Sequence, residues 1–92
     1  IEKIHVRHIL LKSEDDAKLA EKVLKGGADF AQTAKSLSID DATAANGGDL
    51  GWLARGKMLK AFEDAAFALK PGKISAPVKT QFGWHIIKRE ER

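Results

Sequence analysis

An α+β fold with a mostly antiparallel sheet is predicted by three features of this 92-residue chain. A period-two strand opens it, and two short strand patterns joined by a tight turn close it. Between them lie helical patterns with no regular β-α-β alternation. The element order is strand, helices, strand, helix, strand, strand. No internal repeat appears and no linker is long enough to divide the chain, so residues 1–92 are expected to form one domain.

The first strand is "IHVRHILLK", Ile4 to Lys12. Period two puts Ile4, Val6, His8 and Leu10 on one face, with His5, Arg7, Ile9 and Leu11 on the other. Ser13 caps a helix whose first turn carries Glu14, Asp15 and Asp16, acids suited to the positive end of its dipole. Ala17, Ala20 and Leu24 make its apolar stripe, and "KGG" ends it. Asp29 caps a second helix, with Phe30, Ala34 and Leu37 pointing one way. From Ser38 the pattern dissolves into "SIDDATAANGG", after which "DLGWLA" reads as a short strand. Glycines at positions 47 and 48 suit a turn with positive φ that swings the loop back to the sheet. Were the strand regular, Trp52 would share the face of Leu50.

The clearest helix is "MLKAFEDAAFALKPG", in which Met58, Phe62, Ala65, Ala66 and Leu69 recur at helical spacing before a proline–glycine stop. "ISAPVKT" and "FGWHIIK" are the closing strands, and Pro77 indicates that the first of them lies at an edge or begins there.

The composition, 43% apolar and 32% charged, is that of a globular domain. Apolar runs are short, so no transmembrane helix is expected, and no signal-peptide pattern is present. Opening on Ile1 rather than methionine, the chain is expected to be a mature product or a domain cut from something longer. The absence of cysteine excludes disulfides, thiolate metal sites and a cysteine nucleophile. A net charge of +3 is spread along the chain without a basic stripe among aromatics, which argues against nucleic-acid binding.

The glycines of "NGGDLGW" fit neither the phosphate-binding loop nor a dinucleotide fingerprint. No nucleophile elbow surrounds any serine. More informative are His8 and His85, each on a strand face shared with aliphatic residues. Buried there, each needs a polar partner, and Thr80, Ser38 and Asp40 are the candidates. His5 points away from His8, so a three-histidine zinc site is not expected.

Taken together, "VRHILLK", "LSID", "NGGDLGW", "GKMLKAFEDAAFALKPGKIS" and "PVKTQFGWHIIK" resemble, in order and spacing, the parvulin family of peptidyl-prolyl cis-trans isomerases. The resemblance implies a four-stranded, antiparallel, twisted sheet surrounded by helices in βαααβαββ order, the third helix short. By position, His8 and His85 match the family's paired histidines, and Thr80 the hydroxyl that bonds one of them. Asp40 falls where members carry Cys or Asp, which leaves a non-covalent, electrostatic or hydrogen-bonding role. Leu50, Met58 and Phe62 match the apolar pocket for the proline ring, flanked by Phe82. No cofactor and no metal are implied. The implied partners are proline-containing unfolded polypeptides, with no nucleic acid, no membrane contact by the domain itself, and a monomeric state. The alternative is a polypeptide-binding chaperone module without turnover. The implied location is the bacterial cell envelope for a domain of a larger foldase, and the cytoplasm otherwise. Members selective for phosphoserine or phosphothreonine before proline carry a basic cluster after the first strand. Here "KSEDD" stands there, so no such preference is expected.

Overall fold

The computed structural model describes residues 2–91. Its elements are β1 (Lys3–Leu11), α1 (Glu14–Lys25), α2 (Phe30–Leu37), α3 (Asp41–Ala44), β2 (Asp49–Ala54), α4 (Lys60–Ala68), β3 (Val78–Thr80) and β4 (Gly83–Arg89). This is the expected βαααβαββ order. The four strands form one antiparallel sheet in the order β2-β1-β4-β3. First and last strands are thus the central pair, joined from Val6↔Arg89 to Leu11↔Trp84.

Both faces of the central strands are covered, which is why β1 carries aliphatics on both sides. Ile9, Leu11 and Ile86 pack with Ala17, Ala20, Leu24, Phe30 and Ala34 of α1 and α2. Ile4, Val6 and Ile87 pack on the other side with Leu53 of β2 and with Phe62 and Ala66 of α4. His8 and His85 belong to this second face, between the sheet and α4.

Local chemistry accounts for the helix starts. Ser13 Oγ accepts a hydrogen bond from Asp16 N at 3.1 Å, and Asp29 Oδ2 accepts from Gln32 N at 3.0 Å. Leu37, expected inward, is 43% exposed, and Thr33 is buried in α2 instead. The fourth helix begins at Lys60, later than its apolar spacing suggested, so Met58 lies in the approach to the helix rather than on it. Of "ISAPVKT" only Val78–Thr80 is strand, an edge as Pro77 indicated, with Ile74 making a single bridge to Lys88.

Two irregularities shape the second face. In β2 the register slips from Val6↔Gly51 to Arg7↔Asp49, leaving Leu50 as the extra residue of a β-bulge, with Gly51 at φ +76°. The bulge corrects the expectation for Trp52. Leu50 turns toward the α4 cluster, whereas Trp52 pairs with His5 on the opposite face and stacks on its ring at 5.4 Å. The second irregularity is that β2 does not run the length of β1. Beyond Arg7 the 38–48 segment takes over, through His8 N to Gly48 O (2.9 Å), Leu10 N to Ser38 Oγ (3.0 Å) and Ile39 N to Leu10 O (2.8 Å). That pairing carries Asp40 to the side of His8.

Candidate active site

The two histidines, 77 residues apart, meet because β1 and β4 are neighbours in a fixed register, His8↔Ile87 and Leu10↔His85. Their Nδ1 atoms are 3.0 Å apart, and both residues are buried. His8 Nε2 lies 2.7 Å from Asp40 Oδ2, and His85 Nε2 lies 2.7 Å from Thr80 Oγ1. Each histidine therefore has one of the partners proposed for it. Ser38, the third candidate, instead accepts bonds from Leu10 N and Asp40 N and fixes the loop.

Proton positions follow from the partners. Burial first, then repulsion from His8 where that ring is protonated, pushes His85 down to about 4, with Asp40 partly opposing, so His85 is neutral at pH 7. Burial raises the Asp40 pKa, but hydrogen bonds from Thr43 and His8 outweigh it and hold the group below the usual carboxylate value. An ionised Asp40 only accepts, so His8 Nε2–H donates to it, as does Thr43 Oγ1–H at 2.7 Å. In the form where His8 carries only that one proton, its Nδ1 accepts from His85 Nδ1–H, and His85 Nε2 accepts the hydroxyl proton of Thr80. In that form one direction runs through the whole chain of bonds, from Thr80 to Asp40. Phe82 N–H completes it at 3.2 Å from Thr80 Oγ1.

Beside this network opens a cavity of about 230 Å³ lined by His8, Leu10, Asp40, Leu50, Met58, Phe82 and His85. Six of the eight residues singled out in the sequence line it. Thr80 stands behind His85, and Phe62 lies beneath the histidines, fully buried, with its ring edge-on to His8 (centroids 5.8 Å apart) and to His85 (5.2 Å). Phe62 is thus the floor that supports both imidazoles. Leu10 and Thr43 were not singled out. Leu10 had a signal, since it shares the period-two face of His8. Thr43 had none, being one polar residue in a loop without pattern.

A larger hollow, about 520 Å³, opens elsewhere beside His5, Gly72, Lys88, Glu90 and Glu91. Of its walls, Lys88 and Glu90 pair at 3.9 Å, Glu90 also takes a bond from Arg7 outside the hollow at 3.0 Å, and none of the eight residues reaches it. Among the described residues, no three His, Cys, Asp or Glu side chains converge to hold a metal ion.

The neutral His85 has a consequence for stability. The unfolded chain protonates this histidine near 6.5, whereas the native state resists until about 4. The unfolded state therefore binds more protons in that window, and stability falls as pH drops from about 6.5 to 4. Below that, the depressed carboxyls of Asp40 and Asp49 take over the loss as they protonate. Urea unfolding across this range checks it. In a folded His85→Gln variant, the slope between pH 6.5 and 4 should flatten. An unchanged slope would assign the effect to other groups.

Known proteins resemble the chain in four respects. The family model described as rotamase, PPIC-type PPIase domain, matches residues 8–91. Foldase protein PrsA of Geobacillus sp. (strain WCH70) is 55% identical over 86 residues, which is 94% of this chain and 31% of that protein. The crystal structure of PrsA from Bacillus subtilis superposes with a TM-score of 0.93 at 49% identity, over 98% of this chain and 35% of that one. The parvulin NmPin of Nitrosopumilus maritimus superposes with a TM-score of 0.87 at 46% identity, over 98% and 97% of the two chains. The chain thus spans about a third of the length of the PrsA relatives it matches.

Proposed function

The chain belongs to the parvulin family, the PPIC-type peptidyl-prolyl cis-trans isomerases, and from that premise we propose that it isomerises Xaa-Pro bonds of unfolded or extended polypeptides without covalent chemistry. The observation that carries this is the run of bonds Asp40–His8–His85–Thr80 alongside a small apolar cavity. At about 230 Å³ the cavity falls below the roughly 300–1,000 Å³ of sites for drug-sized ligands, which suits one proline ring and its amide.

Rotation about the prolyl bond is slow because the twisted amide loses its resonance, a barrier of about 18–20 kcal/mol. Resonance puts negative charge on the carbonyl oxygen and positive charge on nitrogen, so water favours the planar form. A proline held between Leu50, Met58 and Phe82 leaves water behind, which raises the planar state relative to the less polar twisted one. Leu50, Met58 and Phe82 hold the ring; Phe62 supports the imidazoles; His8, His85, Thr80 and Asp40 form a preorganised polar wall. To accelerate the reaction, that wall must interact more strongly with the twisted amide than with the planar one. Asp40 acts through its charge and by orienting His8. A supporting polar network is more than a surface for holding polypeptide would need.

The test is isomerisation of an alanine-type Xaa-Pro peptide followed by exchange NMR. We expect enhancement by the wild type and a loss of about tenfold or more in kcat/KM for Asp40→Asn. Full activity in that variant would remove the electrostatic role. Binding without enhancement at high enzyme concentration would instead support a holding module.

We further propose no preference for phosphoserine or phosphothreonine before proline. After β1, exposed Lys12 faces Glu14, Asp15 and Asp16, leaving no cationic cluster to take a phosphate. A phosphopeptide should be turned over no faster than its plain counterpart, and faster turnover would overturn the proposal. That the chain acts as one domain of a longer foldase is supported by its matching 31% of the Geobacillus protein; NmPin, covered over 97%, is the contrasting case.

A further inference from the structure

Glu63 is the one carboxylate among the buried residues described, 4% exposed, and nothing in the mechanism above uses it. It sits in the first turn of α4, whose N-cap residue Leu59 provides no side-chain bond. Instead the Glu63 carboxylate reaches back over the turn that precedes the helix. Oε1 accepts from Gly56 N at 2.9 Å, while Oε2 accepts from Lys57 N at 2.7 Å and Met58 N at 2.6 Å. Three consecutive backbone donors converge on one anion, and among the described residues no cation pairs with it directly.

The last of those donors belongs to Met58, a wall of the 230 Å³ cavity. Methionine has three rotatable bonds and fills space adaptably, so its position is only as definite as the backbone that carries it. That backbone lies outside both α4 and β2, and its bonds to Glu63 are what fasten it. We propose that Glu63 is a positioning residue for the substrate pocket: by gathering the amides of residues 56–58 it holds Met58 where the proline ring docks. This rests on the reading of the cavity as the proline pocket. Without the carboxylate, the 56–58 turn samples other conformations, and apparent affinity falls with the fraction that remains competent.

The experiment is a double-mutant cycle on isomerisation of the Xaa-Pro peptide, with wild type, Glu63→Gln, Met58→Ala and the double variant. Glu63→Gln should raise KM about fivefold or more with kcat within about twofold, because bound substrate selects the competent turn and turns over there as before. Its effect should largely vanish in the Met58→Ala background, since coupled residues are not additive. In wild-type NMR spectra, the Gly56, Lys57 and Met58 amide protons should titrate together as Glu63 protonates. Additive effects, or a folded Glu63→Gln with unchanged KM, would overturn the positioning role while leaving the pocket intact. Unchanged kinetics in Met58→Ala would instead remove Met58 from the pocket, and the proposal with it. Should Glu63→Gln fail to fold, Glu63→Asp, one methylene short of the amides, serves in the cycle. Three amides that do not move with pH would overturn the proposal without any variant.

Discussion

Replacing Phe62 with alanine should lower the unfolding free energy by about 3–5 kcal/mol, a large share of the roughly 5–15 kcal/mol available to a small domain. The side chain is fully buried among Ile4, Val6, Leu53, Ala66 and Ile87, and its ring meets both imidazoles edge-on. Truncation removes apolar burial and leaves a void under the 3.0 Å contact between the histidines. The imidazoles then have room to tilt, so isomerase activity should fall even where the fold survives at low temperature. Phe62→Leu keeps most of the volume and should cost about 1.5 kcal/mol or less while still losing the edge contacts. Urea unfolding measures the first effect, and histidine ring NMR signals report the second. A loss under about 1 kcal/mol for alanine would mean that this floor relaxes around the void, against the packing described.

Gly48→Ala is expected to be comparably damaging for a different reason. Gly48 has φ +80°, and a Cβ there would run into the carbonyl oxygen of His8 and press on Ala34 Cβ at 3.3 Å. The first neighbour is backbone in the central strand and cannot rotate aside. Gly48 O also accepts the amide proton of His8 at 2.9 Å, so relieving the clash breaks that bond. A loss of about 3 kcal/mol or more is expected, since a positive φ alone costs a side chain about 1–2 kcal/mol and the clash adds to it. Gly56→Ala is the control, because Gly56 has φ +91° with nothing within 4 Å of the new Cβ. It should show the conformational cost alone, about 1–2 kcal/mol. Equal destabilisation of the two variants would show that the close approach of Gly48 to β1 is unimportant.

Both predictions concern features that the sequence signalled but did not locate. Positive-φ glycines were legible at positions 47 and 48, yet nothing local said that one of them touches the backbone of His8. Phe62 was legible as an apolar residue in a helical stripe and, through the family resemblance, as part of a site. Only the packing of α4 across the sheet puts it beneath the two histidines.

Much else was decided locally and therefore visible early. The caps at Ser13 and Asp29 involve residues three apart, and the stripe of α1 is set by helical periodicity. Alternation along β1 and β4 already put His8 with Val6 and His85 with Ile87, because side-chain direction in a strand depends on parity alone. Composition and spacing excluded cysteine chemistry and nucleotide loops with no fold in hand.

Contacts between distant residues behaved otherwise. The register that joins His8 to His85 and the loop that delivers Asp40 to His8 across 32 positions depend on how elements pair in space. The bulge at Leu50 is the sharpest instance. Regular alternation would have put Leu50 and Trp52 on one face, and one unpaired residue separated them, Leu50 to the pocket and Trp52 to the ring of His5. A one-residue change of register inverts every side chain beyond it, and register is settled by the burial of whole faces rather than by any short run of residues.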